Sequence, residues 1–247
     1  MTRRTKAVKN TYLKLDSTTY DTAILIGDYA RIAYFEKYLD SFEVLEKSRE
    51  YHVYKCTYKR KPMLISAVGM GAPSLIVAVE EMRNYGIKKF LRSGTIMSLR
   101  SEDLGKLVIV EGAVRMDGIS KDYVNQGYPA ISSYEYVKTA HEVLEEFEKE
   151  YISGIICSTG SFYTHFCPGN YASEEVVSKF HENLLKQRVL GLDMETAALL
   201  VVSRLLNVQA GTLGVMSIDR NSRKIDNTED IFSTLAVSSL EICFRWR

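Results

Sequence analysis

Short apolar runs that end at a glycine or a polar residue recur along this chain, and stretches with helical spacing separate them. The runs cover residues 23–26, 63–68, 89–92, 106–111, 154–158 and 210–218, and the helical stretches cover 32–39, 75–84, 132–151, 173–187, 195–206 and 230–244. Strands that alternate with helices are typical of a sheet covered on both faces. The pattern predicts an α/β fold: a single domain with a central mixed, mainly parallel twisted sheet flanked by helices.

Two further features refine this prediction. Residues 51–58 alternate in polarity, and a turn at 59–62 joins them to the run at 63–68, which indicates a hairpin. No linker-like or low-complexity segment divides the chain, and 247 residues suit one large α/β domain. We therefore expect an N-terminal arm over residues 1–20 and one domain over residues 21–247.

Charge and cysteine content exclude several classes of function. The chain has 32 basic and 31 acidic residues, a balance that gives no general attraction to nucleic acid or to an anionic membrane. Its four cysteines form no CxxC pair, which argues against a metal cluster or a disulfide framework and favours a reducing compartment. No apolar run approaches the roughly 20 residues of a membrane helix, and no secretory signal opens the chain. We expect a cytoplasmic protein whose anion sites, if any, are local.

Arg92-Ser93-Gly94-Thr95 is the first candidate anion site. The segment directly follows Lys88-Lys89-Phe90-Leu91, the end of a predicted strand, and ligand crevices in open α/β sheets lie outside the carboxyl ends of strands. The planar fork of donors on arginine matches phosphate geometry. Taken alone, the segment is equally typical of an arginine that is solvated or paired with a carboxylate.

Two other segments carry glycine and arginine in comparable settings. Gly27-Asp28-Tyr29-Ala30-Arg31 lies between a predicted strand and a helix, where glycine permits close approach and a helix start offers N–H groups to an anion. The alternative is an ordinary strand–helix turn, and the segment lacks the Gly-Lys-Ser/Thr of a Walker loop. Ser48-Arg49-Glu50, taken alone, indicates a surface charge pair, and Gly69-Met70-Gly71 indicates a tight turn.

Carboxylates open one predicted helix and end one predicted strand. Asp193 and Glu195 precede the apolar helix, where acidic residues commonly act as caps. Because that helix is nearly uncharged, Glu195 needs partners, which a ligand with two neighbouring hydroxyls would supply. Asp219 ends the run at 210–218 and is placed as a proton donor; the alternative is an ion pair with Arg220 or Arg223.

Taken in order, these segments resemble the nucleoside phosphorylase family, which includes uridine phosphorylase and the hexameric-type purine nucleoside phosphorylases. The resemblance covers residues 23–244 and rests on Gly27-Asp28-x-x-Arg31, Ser48-Arg49-Glu50, Gly69-x-Gly71-x-Pro73-Ser74, Leu91-Arg92-x-Gly94-Thr95 and Met194-Glu195. Val114-Arg115-Met116-Asp117-Gly118, with Tyr128-Pro129-Ala130, is similar to the uridine-type branch.

The resemblance implies an activity and a division of roles. Inorganic phosphate, as co-substrate, would attack the anomeric carbon of a nucleoside while the base departs, a reaction that needs positioning and charge stabilisation more than a protein nucleophile. The implied phosphate ligands are Gly27, Arg31, Arg92 and Thr95, with Arg49 entering from a neighbouring subunit. Met194 and Glu195 would bind the ribose, together with Tyr12 in place of a histidine that contacts the 5′-hydroxyl across the dimer in the family. Arg92 and Asp219 are the candidate catalytic residues.

Assembly and ions follow from the same resemblance. A shared arginine implies at least a dimer, and the family typically forms hexamers. Glu50, Met70 and Ser74 match positions that hold a monovalent cation between subunits, so potassium is a candidate, and no organic cofactor is expected.

The base side departs from the family pattern. The Gln-x-Arg pair that binds uracil becomes Phe166 and Pro168 in one alignment and Asn170 and Ala172 in another. Asp219 stands where purine-type members protonate the base, but Phe232 replaces an arginine of bacterial purine enzymes. Ile96-Met97 replaces a Thr-Gly or Cys-Gly pair and should narrow the pocket. The candidate base-binding residues are Met97, Phe162, His165 and Arg220.

Three functions therefore stay open. The overall pattern favours a uridine phosphorylase, whereas Asp219 and the missing Gln-x-Arg pair favour a purine nucleoside phosphorylase acting on inosine, guanosine or adenosine. Ile96-Met97 raises the third possibility, a catalytically weak nucleoside-binding paralogue.

Overall fold

The computed structural model describes residues 10–15, 20–167, 172–222 and 228–247. Ten strands are found in this part of the chain: β1 Thr22–Ile26, β2 Ser41–Ser48, β3 Tyr51–Tyr58, β4 Lys61–Ala67, β5 Lys89–Ser98, β6 Leu107–Met116, β7 Ala130–Ile131, β8 Tyr151–Thr159, β9 Gly191–Asp193 and β10 Gln209–Asp219. The helices are α1 Ile32–Glu36, α2 Ala72–Asn84, α3 Ser120–Tyr123, α4 Tyr134–Glu146, α5 Phe162–His165, α6 Glu174–Lys186, α7 Thr196–Leu205 and α8 Glu229–Arg245, with 3-10 turns at Tyr29–Arg31 and Ser101–Asp103.

One mixed sheet contains all of these strands, which confirms the predicted α/β class. Its centre, β4-β1-β5-β10, is parallel, and β2, β3 and β4 form an antiparallel arm that includes the predicted hairpin. On the other side, β5 pairs with both β9 and β10, and β6 and β8 complete the circuit. Five strands, β5, β10, β6, β8 and β9, therefore close into a ring at one end of the sheet.

Helices cover both faces of the sheet. Apolar residues of α2 and α7 pack on one face, and those of α4 and α8 pack on the other. All five residues of β1 are buried, as expected for a central strand with both faces covered. Among the described residues, no helix is long and apolar enough to cross a membrane.

Ile96 occupies the inside of the strand ring. It is fully buried in a cluster to which β6, β8 and β10 also contribute. Two glycines make room for it: a Cβ on Gly214 would lie 2.3 Å from Ile96 Cδ1, and one on Gly191 would lie 2.6 Å from Ile96 Cγ2. The two glycines therefore accommodate the Ile96 side chain inside the ring.

The structure corrects some of the predicted element bounds. Strand β5 runs on to Ser98, so Arg92 and Thr95 lie inside a strand instead of after its end. The helix predicted over 132–151 ends at Glu146, where the chain turns through Glu148 at a positive φ and enters β8. The strands β2, β7 and β9 were not predicted, because β2 carries an exposed, mixed pattern and the other two are very short.

Candidate active site

Two adjoining cavities lie beside β5 and share the residues Arg31, Met70, Arg92, Thr95 and Glu195. The first cavity has a volume of about 520 Å³, and we call it the arginine cavity. Besides β5, its walls come mainly from three segments: one that follows β1, one between β2 and β3, and one that follows β4. The second, about 280 Å³, includes Phe162 and Phe166, and we call it the aromatic cavity. Because Arg92 and Glu195 line both cavities, a ligand that spans the two cavities would pass alongside both residues.

All five residues predicted to bind phosphate line the arginine cavity: Gly27, Arg31, Arg49, Arg92 and Thr95. Arg31 ends a 3-10 turn whose first amide is capped by Asp28, which accepts from Ala30 N at 2.9 Å. Burial lowers the pKa of Arg31, and its guanidinium carbon lies 4.7 Å from the centroid of the Phe232 ring. Within this single chain, Arg49 lines the same cavity as the other four residues.

Arg92 is held by two buried carboxylates. Its Nη2 donates to Glu195 Oε2, and its Nε lies 3.6 Å from Asp193 Oδ2. Burial alone would lower the pKa of Arg92, but Glu195 and Asp193 outweigh that effect and raise it. The third nitrogen, Nη1, is buried and has no hydrogen-bond partner among the described residues. This nitrogen therefore remains available to a bound anion.

Gly94 makes the position of Arg92 possible. Residues two apart on a strand share a face, so the guanidinium of Arg92 lies directly over Gly94. A Cβ at Gly94 would be only 1.7 Å from Arg92 Nη1 and 2.5 Å from Arg92 Cζ. The spacing of arginine and glycine in this segment thus has a steric cause.

Glu195 obtains from the protein the partners that its burial requires. Gly71 N donates to Glu195 Oε1 at 2.6 Å, and Arg92 pairs with Oε2. Gly71 has a φ of +95°, a conformation that favours glycine, and this explains the second glycine of the segment at 69–71. Each carboxylate oxygen can accept more than one hydrogen bond, so ribose hydroxyls can still donate to Glu195.

Asp193 has the capping role that was proposed for it. Its Oδ2 accepts from Thr196 N at 3.1 Å and from Thr196 Oγ1 at 2.5 Å, at the start of α7. Ser158 Oγ donates to its other oxygen at 2.5 Å. Burial raises the pKa of Asp193, and the nearby Arg92 opposes that shift.

The aromatic cavity is lined largely by apolar side chains. Phe162 and Phe166, one helical turn apart, stack with ring centroids 5.0 Å apart at an interplanar angle of 15°. The other apolar residues of the lining are Met70, Ile96, Met97, Met194 and Ile218. The structure therefore brings Met97, Phe162 and Met194 together as predicted. It also adds Ile218, which the sequence analysis left as an ordinary strand residue.

Asp219 does not line either cavity, which corrects its placement as a proton donor. Its Oδ1 accepts from Asn221 N at 2.8 Å and from Ser222 N at 2.7 Å. Burial alone would raise the pKa of Asp219, but these and other hydrogen bonds lower it. A carboxylate held in its ionised form by local amides is a poor proton donor.

Neither Arg220 nor His165 lines either cavity in the part of the chain that the structure describes, so their assignment to base binding stays a prediction. Arg220 Nε donates to Asn221 Oδ1 at 3.0 Å, and the alternative partner Arg223 lies outside the described residues. His165 packs on Phe180, with ring centroids 4.9 Å apart. The positions aligned above at Pro168 and Asn170 also fall outside the described part of the chain.

The predicted contact between Tyr12 and ribose runs across a dimer, so it stays a prediction. Tyr12 does not line either cavity of its own chain. The ring instead lies 5.2 Å from the guanidinium carbon of Arg49. Its centroid is also 6.4 Å from that of the Tyr51 ring.

The candidate cation ligands are close together. Ser74 Oγ lies 3.1 Å from Glu50 Oε1 and is hydrogen-bonded to the carbonyl oxygen of Val68. Glu50 and Met70 line the arginine cavity, and Met70 is 75% exposed. Two side-chain oxygens of one chain supply only part of the coordination shell that a hard cation takes.

Comparison with known proteins shows similarity along almost the whole chain. A family model described as the Phosphorylase superfamily matches residues 21–240. Uridine phosphorylase of Haemophilus influenzae is 30% identical over 220 residues, which are 86% of each protein, and purine nucleoside phosphorylase of Plasmodium vivax is 28% identical over 236 residues, which are 92% of each. The crystal structure of uridine phosphorylase from Vibrio fischeri ES114 superposes with a TM-score of 0.83 and 29% identity, covering 96% of this chain and 98% of that one.

Proposed function

The chain belongs to the nucleoside phosphorylase family, and we propose that it cleaves the N-glycosidic bond of a ribo- or deoxyribonucleoside with inorganic phosphate. The products are the free base and (deoxy)ribose 1-phosphate. One observation carries the proposal. Three arginines line a cavity beside an apolar one, and Arg92 joins the two with a buried, unpartnered Nη1 among the described residues.

The arginine cavity is the phosphate side of the proposed site. Arg31 and Arg49 supply positive charge, the Thr95 hydroxyl supplies a further donor, and Arg92 Nη1 is already oriented. Because Glu195 and Asp193 neutralise Arg92 before any anion arrives, the site does not hold three uncompensated cations when it is empty. Phosphate binding then requires little reorganisation, which is the condition under which fixed charges stabilise a transition state best.

Glu195 is the sugar side of the proposed site. Its carboxylate is fixed by Gly71 N and Arg92, and its remaining lone pairs accept hydrogen bonds from the two ribose hydroxyls. An oxygen of phosphate bonds to the anomeric carbon as the bond from that carbon to the base nitrogen breaks, and the base leaves with the electron pair. Phosphate and Glu195 both place negative charge near a sugar that becomes positive in the transition state.

The aromatic cavity favours a pyrimidine base, so uridine is the substrate that we propose first. Met97 is buried against Phe166 and Leu192 and occupies space at this end of the site. Of the two features that favoured purines, the missing Gln-x-Arg pair still does so, but the carboxylate of Asp219 is bound to backbone amides away from the cavity. Uridine phosphorylases also predominate among the relatives. A purine nucleoside phosphorylase remains the second candidate, on the basis of relatives that carry that name.

A substrate panel with and without phosphate tests this function. Uridine, thymidine, inosine, adenosine and guanosine are incubated with the protein, and free base and sugar phosphate are measured. We expect phosphate-dependent release of uracil. Base release without phosphate would instead indicate a hydrolase, and nucleoside binding without turnover would indicate a binding paralogue.

Arg31→Gln tests the phosphate side of the site, and Arg83→Gln is its matched control. Replacing Arg92 would leave two buried carboxylates without a cation, whereas Arg31 contacts a ring and can be changed with less damage to the fold. Loss of one charge-assisted hydrogen bond should lower kcat/KM for phosphate about 10- to 100-fold. Arg83→Gln, an exposed arginine outside both cavities, should leave it unchanged. Equal effects of the two variants would contradict the assignment.

Assembly, ion and location belong to the same proposal. A homo-oligomer, at least a dimer and in the family pattern a hexamer, would bring a second copy to the arginine cavity and complete a potassium site at Glu50 and Ser74. A cytoplasmic location suits four cysteines that are all unpaired. Sedimentation with and without potassium measures the number of subunits and its dependence on the ion.

A further inference from the structure

A buried carboxylate fixes the chain segment at residues 10–13. Glu81 on α2 accepts from three successive amides: Thr11 N at 2.8 Å, Tyr12 N at 3.1 Å and Leu13 N at 2.7 Å. Tyr85, one turn further along α2, donates from its hydroxyl to the Leu13 carbonyl oxygen at 2.9 Å. The side chain of Leu13 is fully buried in the core. The segment is therefore attached to α2 through its backbone and to the core through a side chain.

This attachment determines where the ring of Tyr12 lies. The ring centroid is 5.2 Å from Arg49 Cζ, within the range in which a guanidinium is attracted to an aromatic face. On its other side the ring meets Tyr51, whose hydroxyl donates to the Ser74 carbonyl oxygen at 3.1 Å. Tyr12 is thus held between the tight turn that carries Arg49 and the start of α2.

Arg49 has few other constraints. It lies in the turn between β2 and β3 with a φ of +56°, at the outer edge of the sheet. Arg92 is fixed by carboxylates and Arg31 by Phe232, but among the described residues Arg49 forms no ion pair. The contact with Tyr12 therefore limits the positions that this long side chain can take.

We propose that Tyr12 is a positioning residue for Arg49, and that Glu81 acts through Tyr12, so that the N-terminal segment sets the affinity of the site for phosphate. The inference rests on the proposed function. It gives Tyr12 a role on the phosphate side in place of the ribose contact that the family resemblance implied. The role holds equally if Arg49 reaches the cavity of a second copy, because the ring fixes the arginine in its own chain.

Tyr12→Leu and Tyr12→Phe form the central comparison. Phosphate binding is measured by calorimetry with inorganic phosphate alone, and KM for phosphate is measured at saturating uridine. We expect Tyr12→Leu to weaken phosphate binding about 2- to 5-fold, the effect of losing one cation–π contact. Tyr12→Phe, which keeps the ring, should match the wild type, and KM for uridine should not change. Tyr134→Leu, an exposed tyrosine on α4, is the matched control and should leave both constants unchanged.

A double-mutant cycle with Arg49→Met separates positioning from general damage. In the Arg49→Met background, Tyr12→Leu should have no further effect on phosphate binding. Glu81→Gln should weaken phosphate binding as much as Tyr12→Leu does when Arg49 is present, and should have no effect when it is absent. The same effect in both backgrounds, or a loss of phosphate affinity in Tyr12→Phe, would overturn the inference. A wild type that binds no phosphate overturns both this inference and the proposed function, whereas an active wild type with an unaffected Tyr12→Leu overturns this inference alone.

Discussion

Gly94→Ala tests whether the placement of Arg92 creates the phosphate side of the site. The added methyl group would lie 1.7 Å from Arg92 Nη1, whereas non-bonded heavy atoms settle at about 3.5 Å. The guanidinium must therefore move by about 2 Å. Neither its bond to Glu195 nor its approach to Asp193 can survive a shift of that size.

The expected magnitudes follow from those two losses. A hydrogen bond between charged groups contributes about 1.5–3 kcal/mol to stability, and breaking a buried ion pair costs about 3–5 kcal/mol. We expect the free energy of unfolding of Gly94→Ala to fall by about 2–4 kcal/mol, because the displaced arginine regains some solvent. A misplaced donor at a reacting centre lowers the rate about 100- to 1,000-fold. We expect a decrease of that size in kcat/KM for phosphate.

Steady-state phosphorolysis at saturating uridine and urea denaturation measure these two quantities. Gly214→Ala is the matched control, because it lies opposite Gly94 on the neighbouring strand but its methyl group would lie 2.3 Å from Ile96 Cδ1 and clash with that side chain instead of with Arg92. It should be destabilised by about 1–3 kcal/mol and keep kcat/KM for phosphate within a few-fold of the wild type. A folded Gly94→Ala protein with wild-type kinetics for phosphate would refute the role given to Arg92.

Two further predictions concern the base side. Asp219→Asn should reduce the free energy of unfolding at pH 7 and change turnover of uridine and inosine by the same factor. Because the pKa of Asp219 in the folded state lies below its ordinary 3.8, the stabilisation by this carboxylate is complete above that pH and is lost as the pH falls through the folded-state pKa. Urea titrations of the wild type and the variant at several pH values measure this loss. Met97→Ala removes a buried side chain from the aromatic cavity and should lower the free energy of unfolding by about 2–5 kcal/mol. It should also raise kcat/KM for inosine relative to kcat/KM for uridine, because the cavity becomes larger. An unchanged ratio of the two values would argue against Met97 as a determinant of base size.

The sequence predicted the central strands well and the strand that carries the site less well. β1 is apolar throughout because both of its faces are buried, so its pattern is unambiguous. β5 continues for six residues beyond the bounds that its apolar run suggested, through Ser93, Gly94 and Thr95. Gly94 is small because it lies under Arg92, and Thr95 lines both cavities, whereas Ser93 accepts a hydrogen bond from Ser239 on α8. These polar and small residues interrupt the hydrophobic pattern that predicts the strand, so the predicted strand ended too early.

Some residues of the site could also be predicted from the sequence, and others could not. The phosphate-side residues lie at strands and short turns whose positions follow from the fold, so the family motifs brought them together correctly. Asp219 was misplaced because its direction depends on two amides in the following turn. The contacts of Tyr12 within its own chain could not be predicted, because its backbone is held by a carboxylate 69 residues away, a contact that no local pattern reveals.

The packing of Ile96 against Gly191 and Gly214 has a consequence for how this protein can change over generations. Three strands contribute to one filled volume, so the effect of a substitution at any of the three positions depends on the residues at the other two. An alanine at Gly214 is harmful while Ile96 is present, but it becomes a cavity-filling replacement once Ile96 has been shortened. The order of mutations therefore matters, because Ile96 must become smaller before Gly214 can take a side chain.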